Sequence, residues 1–156
     1  MTELIVIHGI SLPPGEYGGQ EIEALFTNTL DADAHPYFAE ISGLEVSAHF
    51  LVRRAGEVVQ FVSTDARAWH AGVSCWQGRE QCNDFSIGIE LEGCDDEAYS
   101  DAQYDALNQL LAALTKQYPD IRHDAIVGHS DIAPVRKTDP GPAFDWSRVV
   151  ASQSQQ

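Results

Sequence analysis

"FSIGIELEG", residues 85–93, is the stretch on which the fold turns: Phe85, Ile87, Ile89 and Leu91 alternate with Ser86, Gly88, Glu90 and Glu92. Successive side chains of a strand point to opposite faces, so this period of two reads as a β-strand with one apolar face for the core. The other face carries two carboxylates. Glu90 there either points to water, as glutamate usually does, or lines a cleft.

The neighbouring segments extend the pattern. Leu4 to Ile7 is a short apolar run with β-branched content, and it reads as a buried strand that meets a loop at His8 and Gly9, placing His8 at a strand mouth. Ile22, Leu25 and Phe26 fall at helical spacing and predict a helix of about three turns with Leu30 near its end. In "DADAHPYFAEIS" (31–42), Phe38 and Ile41 mark a further short helical turn. Alternation resumes over residues 46–62, broken by "RAGE", and predicts an antiparallel hairpin. Ser100 with Gln103 is a capping-box pattern that opens a helix with Tyr104, Leu107, Leu111, Leu114 and Tyr118 along one stripe. Ala125 to Val127 forms a last short strand ending at Gly128 and His129. Strand and helix segments intermix without linkers or repeats. The expectation is one domain over residues 1–156: a mixed α/β fold, with a single central mixed β-sheet flanked by α-helices and a polar tail at about 151–156.

Composition narrows the partners. Nine Lys and Arg against 24 Asp and Glu give a formal charge of −15 and a pI near 4.5. Such a field repels nucleic acid and anionic membranes, so neither is an expected partner. The start "MTELIVIHGI" lacks a basic n-region and a secretory-length apolar run, and nothing later approaches the ~18 apolar residues of a membrane span. Cys75, Cys82 and Cys94 are odd in number and lack a paired zinc spacing, which reads as free thiols in a reducing compartment. These features predict a cytoplasmic monomer.

Chemistry concentrates in "GHSDIAPVRKTDPGP" (128–142), which carries far more polarity than a loop needs. His8 and His129 each end a predicted strand, and Asp139 lies in a proline-stiffened segment able to fold back on the same sheet end. Two imidazoles and a carboxylate leave a fourth position open, as a catalytic zinc requires. The long sequence gaps do not by themselves enforce convergence. Near a metal, Glu90 becomes a candidate to orient or deprotonate water, and Lys137 a candidate to meet a developing oxyanion; the alternatives are a solvated strand carboxylate and a surface lysine. Trp69 in "RAWHAG" (67–72) is either a platform for a sugar or peptide face or an aromatic plug at the core edge. His49, among apolar neighbours, reads as structural, while His35 and His123 carry no signal.

Five blocks in order, "VIHGISLPPGEYGG", "VSAHFLVRRAGEVVQFV", "RAWHAGVS", "CNDFSIGIELEG" and "GHSDIAPVRKTDPGPAFDW", resemble the zinc-dependent N-acetylmuramoyl-L-alanine amidases of the type-2 amidase family and are similar to its cytoplasmic members acting on 1,6-anhydro-N-acetylmuramyl peptides. The resemblance implies a mixed sheet packed by helices, as in peptidoglycan recognition proteins. It implies one zinc per chain on His8, His129 and Asp139, with Glu90 as catalytic glutamate and Lys137 stabilising the tetrahedral intermediate. Trp69 would belong to the substrate groove and Arg79 would meet peptide carboxylates, the substrate being a small soluble muropeptide. Two other readings compete: a peptidoglycan-binding module without catalysis, and a lytic amidase of the intact wall. Gly9 departs from the asparagine that commonly follows the ligand histidine, and Gln81 from an arginine of close relatives.

Overall fold

The computed structural model describes residues 1–150; the polar tail expected at about 151–156 lies outside the described residues. Five strands, β1 (Leu4–Ile10), β2 (Phe50–Val52), β3 (Val58–Gln60), β6 (Ser86–Glu92) and β7 (Ile126–Gly128), make one sheet, and β4 (Cys75–Trp76) with β5 (Arg79–Glu80) forms a separate small hairpin. The sheet order is β3-β2-β6-β1-β7. Every adjacent pair is parallel except the β2–β3 hairpin. The mixed sheet is therefore as the sequence implies, with the "FSIGIELEG" strand at its centre.

That central place decides between the two readings of Glu90. All residues of β6 are buried, Glu90 and Glu92 included, so neither face is open to water. Parallel strands are joined by crossovers that cover both faces, which explains why polar residues here are interior. Phe85 precedes the strand and packs with Leu4 and Val6, away from Ile87 and Ile89.

One face of the sheet is apolar across β1, β2 and β6. Ile5, Ile7, Phe50, Val52, Ile87, Ile89 and Leu91 pack against α3 (Asp101–Gln117) through Tyr104, Leu107, Leu111 and Leu114. Full burial of a leucine such as Leu107 stabilises by about 1.5–3 kcal/mol. The predicted capping box is formed: the Ser100 hydroxyl accepts from the Gln103 amide at 3.1 Å, and the Gln103 side-chain oxygen accepts from the Ser100 amide at 3.0 Å. The same buried Gln103 donates through Nε2 to the carbonyls of Val52 and Glu92, tying the helix start to the ends of β2 and β6.

The opposite face is covered in two parts. On the β2 side, α1 (Glu21–Phe26) and α2 (Pro36–Ile41) bring Ile22, Leu25, Phe26 and Phe38 over Leu51. On the β1–β7 side, Cys82, Phe85 and Ile132 of α4 (His129–Ile132) cover Leu4, Val6 and Val127. The second helical turn is where the sequence puts it. The first helix is shorter than expected, because Asn28 adopts a left-handed φ of 60° that ends it before Leu30; asparagine tolerates that conformation better than most residues. The hairpin is also shorter than residues 46–62. His8 lies inside β1, whose pairing continues to Ile10, and not at a strand mouth. Among the described residues no helix is long and apolar enough to cross a membrane, and Cys75, Cys82 and Cys94 are free.

Candidate active site

Sheet register makes the first contact. Residue His8 of β1 stands directly opposite Glu90 of β6, so both side chains leave the sheet on the face away from α3. Next to β1, strand β7 pairs Val6 with Val127 and Ile7 with Gly128, and the chain then enters α4 at His129. The following loop returns so that the Ser130 amide donates to the Asp139 carbonyl at 3.1 Å. The Asp139 carboxylate accepts from the Gly9 amide at 3.2 Å.

Three of the predicted groups converge. The Nδ1 atoms of His8 and His129 are 3.0 Å apart, and Asp139 carboxylate oxygens lie 3.3 and 3.2 Å from them. Ligand atoms of His8, His129 and Asp139 all fall within 4.8 Å of one another. Both rings use their far nitrogen elsewhere: His129 Nε2 lies 2.9 Å from the Ala71 carbonyl, and His8 Nε2 lies 2.9 Å from His70 Nδ1. A carbonyl only accepts, so His129 carries its proton on Nε2 and presents a lone pair at Nδ1. This donor set fits a divalent ion such as zinc, which takes two imidazoles and a carboxylate and keeps a position free.

The electrostatics agree with that chemistry. Burial pushes His8 down to about 4, outweighing the Asp139 hydrogen bond and reinforced by the His129 charge, so the ring is neutral near pH 7 and its lone pair is free. Burial opposes ionisation of Asp139, but the adjoining His129 and His8 rings hold its carboxyl well below the usual range. Glu90 behaves in the opposite way. Burial, then the Asp139 charge, raise it well above the usual carboxylate value, and Lys137 only partly offsets them. Its Oε1 is 3.7 Å from His8 Nδ1, and its buried Oε2 has no hydrogen-bond partner. Buried polar atoms are nearly always paired, so this one keeps an acceptor site unused by the chain.

These residues form one end of a groove of about 560 Å³. Lys137 lines it beside Glu90, and its other wall is apolar, with Leu25, Phe26, Tyr37, Ile41, Leu44 and Val46. Trp69 also lines it and stays half exposed, with the Arg67 guanidinium 4.2 Å above its ring. It is therefore not a core plug. Arg79 is not brought to the groove: it sits in β5, ion-paired with Glu3 and stacked 3.9 Å over Phe85. Gly9 is matched to its surroundings, since a Cβ there would overlap the Tyr99 hydroxyl, which donates to the Pro140 carbonyl at 2.8 Å.

His49 is structural, as expected: Nδ1 accepts from the Gly88 amide at 3.0 Å and Nε2 faces the Ala66 carbonyl at 2.8 Å. His70 and Asn83 are the residues that sequence reasoning left without a role. One signal pointed to them, because an isolated glycine inside a strand marks a close approach. At Gly88 a Cβ would overlap the His70 imidazole.

Comparison with known proteins gives the same direction. The sequence profile of the family described as N-acetylmuramoyl-L-alanine amidase matches residues 2–142. The chain is 67% identical over 148 residues to the 1,6-anhydro-N-acetylmuramyl-L-alanine amidase AmpD of Enterobacter cloacae, covering 95% of this chain and 79% of that protein. A crystal structure of a selenomethionine AmpD derivative superposes with a TM-score of 0.94 at 62% identity, covering 97% of this chain and 84% of that one. AmpDh3 of Pseudomonas aeruginosa, solved in complex with an anhydromuramic pentapeptide, gives a TM-score of 0.76 at 30% identity, covering 97% of this chain and 60% of that one.

Proposed function

Because the chain belongs to the N-acetylmuramoyl-L-alanine amidase family, we propose that it hydrolyses the amide between the lactyl group of a 1,6-anhydro-N-acetylmuramyl sugar and the L-alanine of its stem peptide, as a zinc enzyme of muropeptide recycling. The observation that carries this reading is the convergence of His8 and His129 Nδ1 with Asp139 beside a buried, half-unpartnered Glu90 at the end of a groove. His8, His129 and Asp139 would hold the ion. When bound, zinc supplies Lewis acidity, polarising a carbonyl and lowering the pKa of water.

The remaining chemistry falls to the chain's own groups. Glu90 takes a proton from the attacking water; its raised pKa makes it a better base than an ordinary carboxylate. Water oxygen bonds to the carbonyl carbon, the carbon–nitrogen bond breaks, and Glu90 passes the proton to the leaving nitrogen. The products are a lactyl carboxylate and a free alanine amino group. Lys137 meets the charge that develops on the carbonyl oxygen, and the apolar wall and Trp69 receive the substrate flank. Arg79, held by Glu3 away from the groove, takes no part in this scheme.

The activity for which AmpD is named, and the ligand bound to AmpDh3, support an anhydromuramyl peptide as substrate. A cytoplasmic monomer acting as one catalytic domain fits three free thiols and the strong negative charge, which suits a small soluble ligand better than an anionic wall. The test is metal content together with hydrolysis of anhydro-muramyl tripeptide and of intact sacculi, read by mass spectrometry. One zinc per chain and free tripeptide from the soluble substrate are expected. Comparable cleavage of sacculi would make the protein a lytic amidase, and binding without cleavage by the zinc-loaded protein would make it a recognition module.

A further inference from the structure

The two histidines of the metal cluster come from strands and helices far apart, yet both send their Nε2 atoms to adjacent residues of one turn. His8 reaches His70 Nδ1 at 2.9 Å and His129 reaches the Ala71 carbonyl at 2.9 Å. The turn itself is held from behind. The buried Asn83 accepts through Oδ1 from the amides of both His70 (3.1 Å) and Ala71 (2.9 Å). Arg136 donates to the same Ala71 carbonyl at 2.7 Å and to Val73 at 3.1 Å.

We propose that the His70–Ala71 turn, clamped by Asn83, is the positioning unit that sets the tautomer and aim of both metal-binding imidazoles. The inference rests on the metal reading above. A ring that offers Nδ1 to a cation must carry its hydrogen on Nε2, and that hydrogen needs an acceptor. For His129 the acceptor is a carbonyl. For His8 it is His70, which then carries its own hydrogen on Nε2 and donates to Ser86 Oγ at 3.1 Å; Ser86 in turn donates to the Cys82 carbonyl at 2.6 Å. Each hydrogen in this chain has one acceptor, so the direction of the whole run is fixed by its carbonyl end.

Packing holds the relay in place. His70 is buried and lies against Gly88, where a side chain would overlap its ring. Its φ is not in the left-handed region, so glycine serves here to make room and not to relieve the backbone. Three successive positions on this face of β6 thus have an assignment: Ser86 ends the relay, Gly88 seats His70, and Glu90 faces the metal cluster.

The test uses the full chain. Zinc affinity, measured by competition with a chromophoric chelator, is expected to fall about 10- to 100-fold in His70→Leu, the range for losing an outer partner of a metal ligand. His70→Gln, whose carbonyl oxygen can accept the His8 Nε2 hydrogen, is expected to bind zinc more tightly than His70→Leu. Equal affinities for the two variants, or a His70→Leu affinity within error of wild type, would overturn the proposal. On the wild-type zinc protein, long-range 1H–15N spectra of the imidazoles are expected to show His8, His70 and His129 all protonated at Nε2. Protonation of His70 at Nδ1 would overturn the proposal even if neither variant folded. His129→Ala separates the two levels of the argument: undiminished zinc binding there would defeat the metal reading, whereas lost binding there with unchanged His70 variants would defeat the relay alone.

Discussion

Replacing Glu90 by glutamine should make the metal-free protein more stable and the enzyme slower. The carboxyl is buried between β1 and β2, its Oε2 has no partner, and Asp139 adds a like charge. Below about pH 4.5, the ordinary value for this group, the folded and unfolded chains both keep the proton and the residue costs nothing. As pH climbs past that value the unfolded chain releases a proton that the folded chain retains. Stability then falls until the raised folded-state pKa is passed, and the penalty is complete above it. Glutamine has the same shape and leaves one buried polar atom unpartnered as glutamate does, so the variant should gain only the ionisation penalty, about 1.4 kcal/mol for each pH unit between the ordinary value and the raised folded-state one. For a chain of this length that is about 2–4 °C in Tm for each kcal/mol. Thermal unfolding of both metal-free proteins at pH 4 and pH 7 measures it: the two curves should nearly coincide at pH 4 and separate at pH 7. Loss of the general base should lower kcat by about 10²–10⁴-fold in the zinc enzyme. A variant no more stable at pH 7, or one with the same gain at both pH values, would refute the buried, uncompensated carboxylate.

Lys137→Ala should keep its zinc and lose about 10²–10³-fold in kcat, the usual effect of deleting one oxyanion donor; normal turnover would remove the lysine from the chemistry. Asp139→Ala should lose zinc and activity together, since one of three converging ligands disappears, and stoichiometric tight zinc by elemental analysis would refute the ligand set. Trp69→Ala should raise KM by roughly 2- to 10-fold with kcat little changed, as expected for losing about 0.5–1.5 kcal/mol of aromatic contact. Steady-state kinetics on the anhydro-muramyl tripeptide separates this result from a loss in kcat.

Local patterns carried much of the architecture. The α3 capping box needed only Ser100 and Gln103, and the β6 alternation needed only its own residues. What β6 packs against is not local. The cover over its polar face comes from α1 and α2, from the segment that carries His70, Cys82 and Phe85, and from α4, so a carboxylate that alternation leaves either solvated or in a cleft is interior. The metal set was legible as a list of residue types, but its convergence depends on pairing over more than a hundred residues, between β1 and β7. His70 left no periodic trace, because its role is to meet a histidine 62 positions away. Arg79 shows the converse: its residue type suits a carboxylate, and the nearest one in the fold is Glu3 of its own chain.

The face opposite α3 explains why a groove exists here at all. Its apolar cover is split into two clusters, one under α1 and α2 and one beside β7 and α4. Between them runs a row of His8, His49, His70, Ser86 and Glu90, too polar to join either cluster. A split of this kind is tolerable only if the buried polar atoms of the row find partners. The histidines and Ser86 find them in carbonyls, in the Gly88 amide and in each other. Among the described buried side-chain atoms, Glu90 Oε2 alone is left without one. The unspent hydrogen-bonding capacity of the whole layer is thereby collected at one atom, at the groove end, beside the cluster proposed to hold the metal, which is where an amidase needs a proton acceptor.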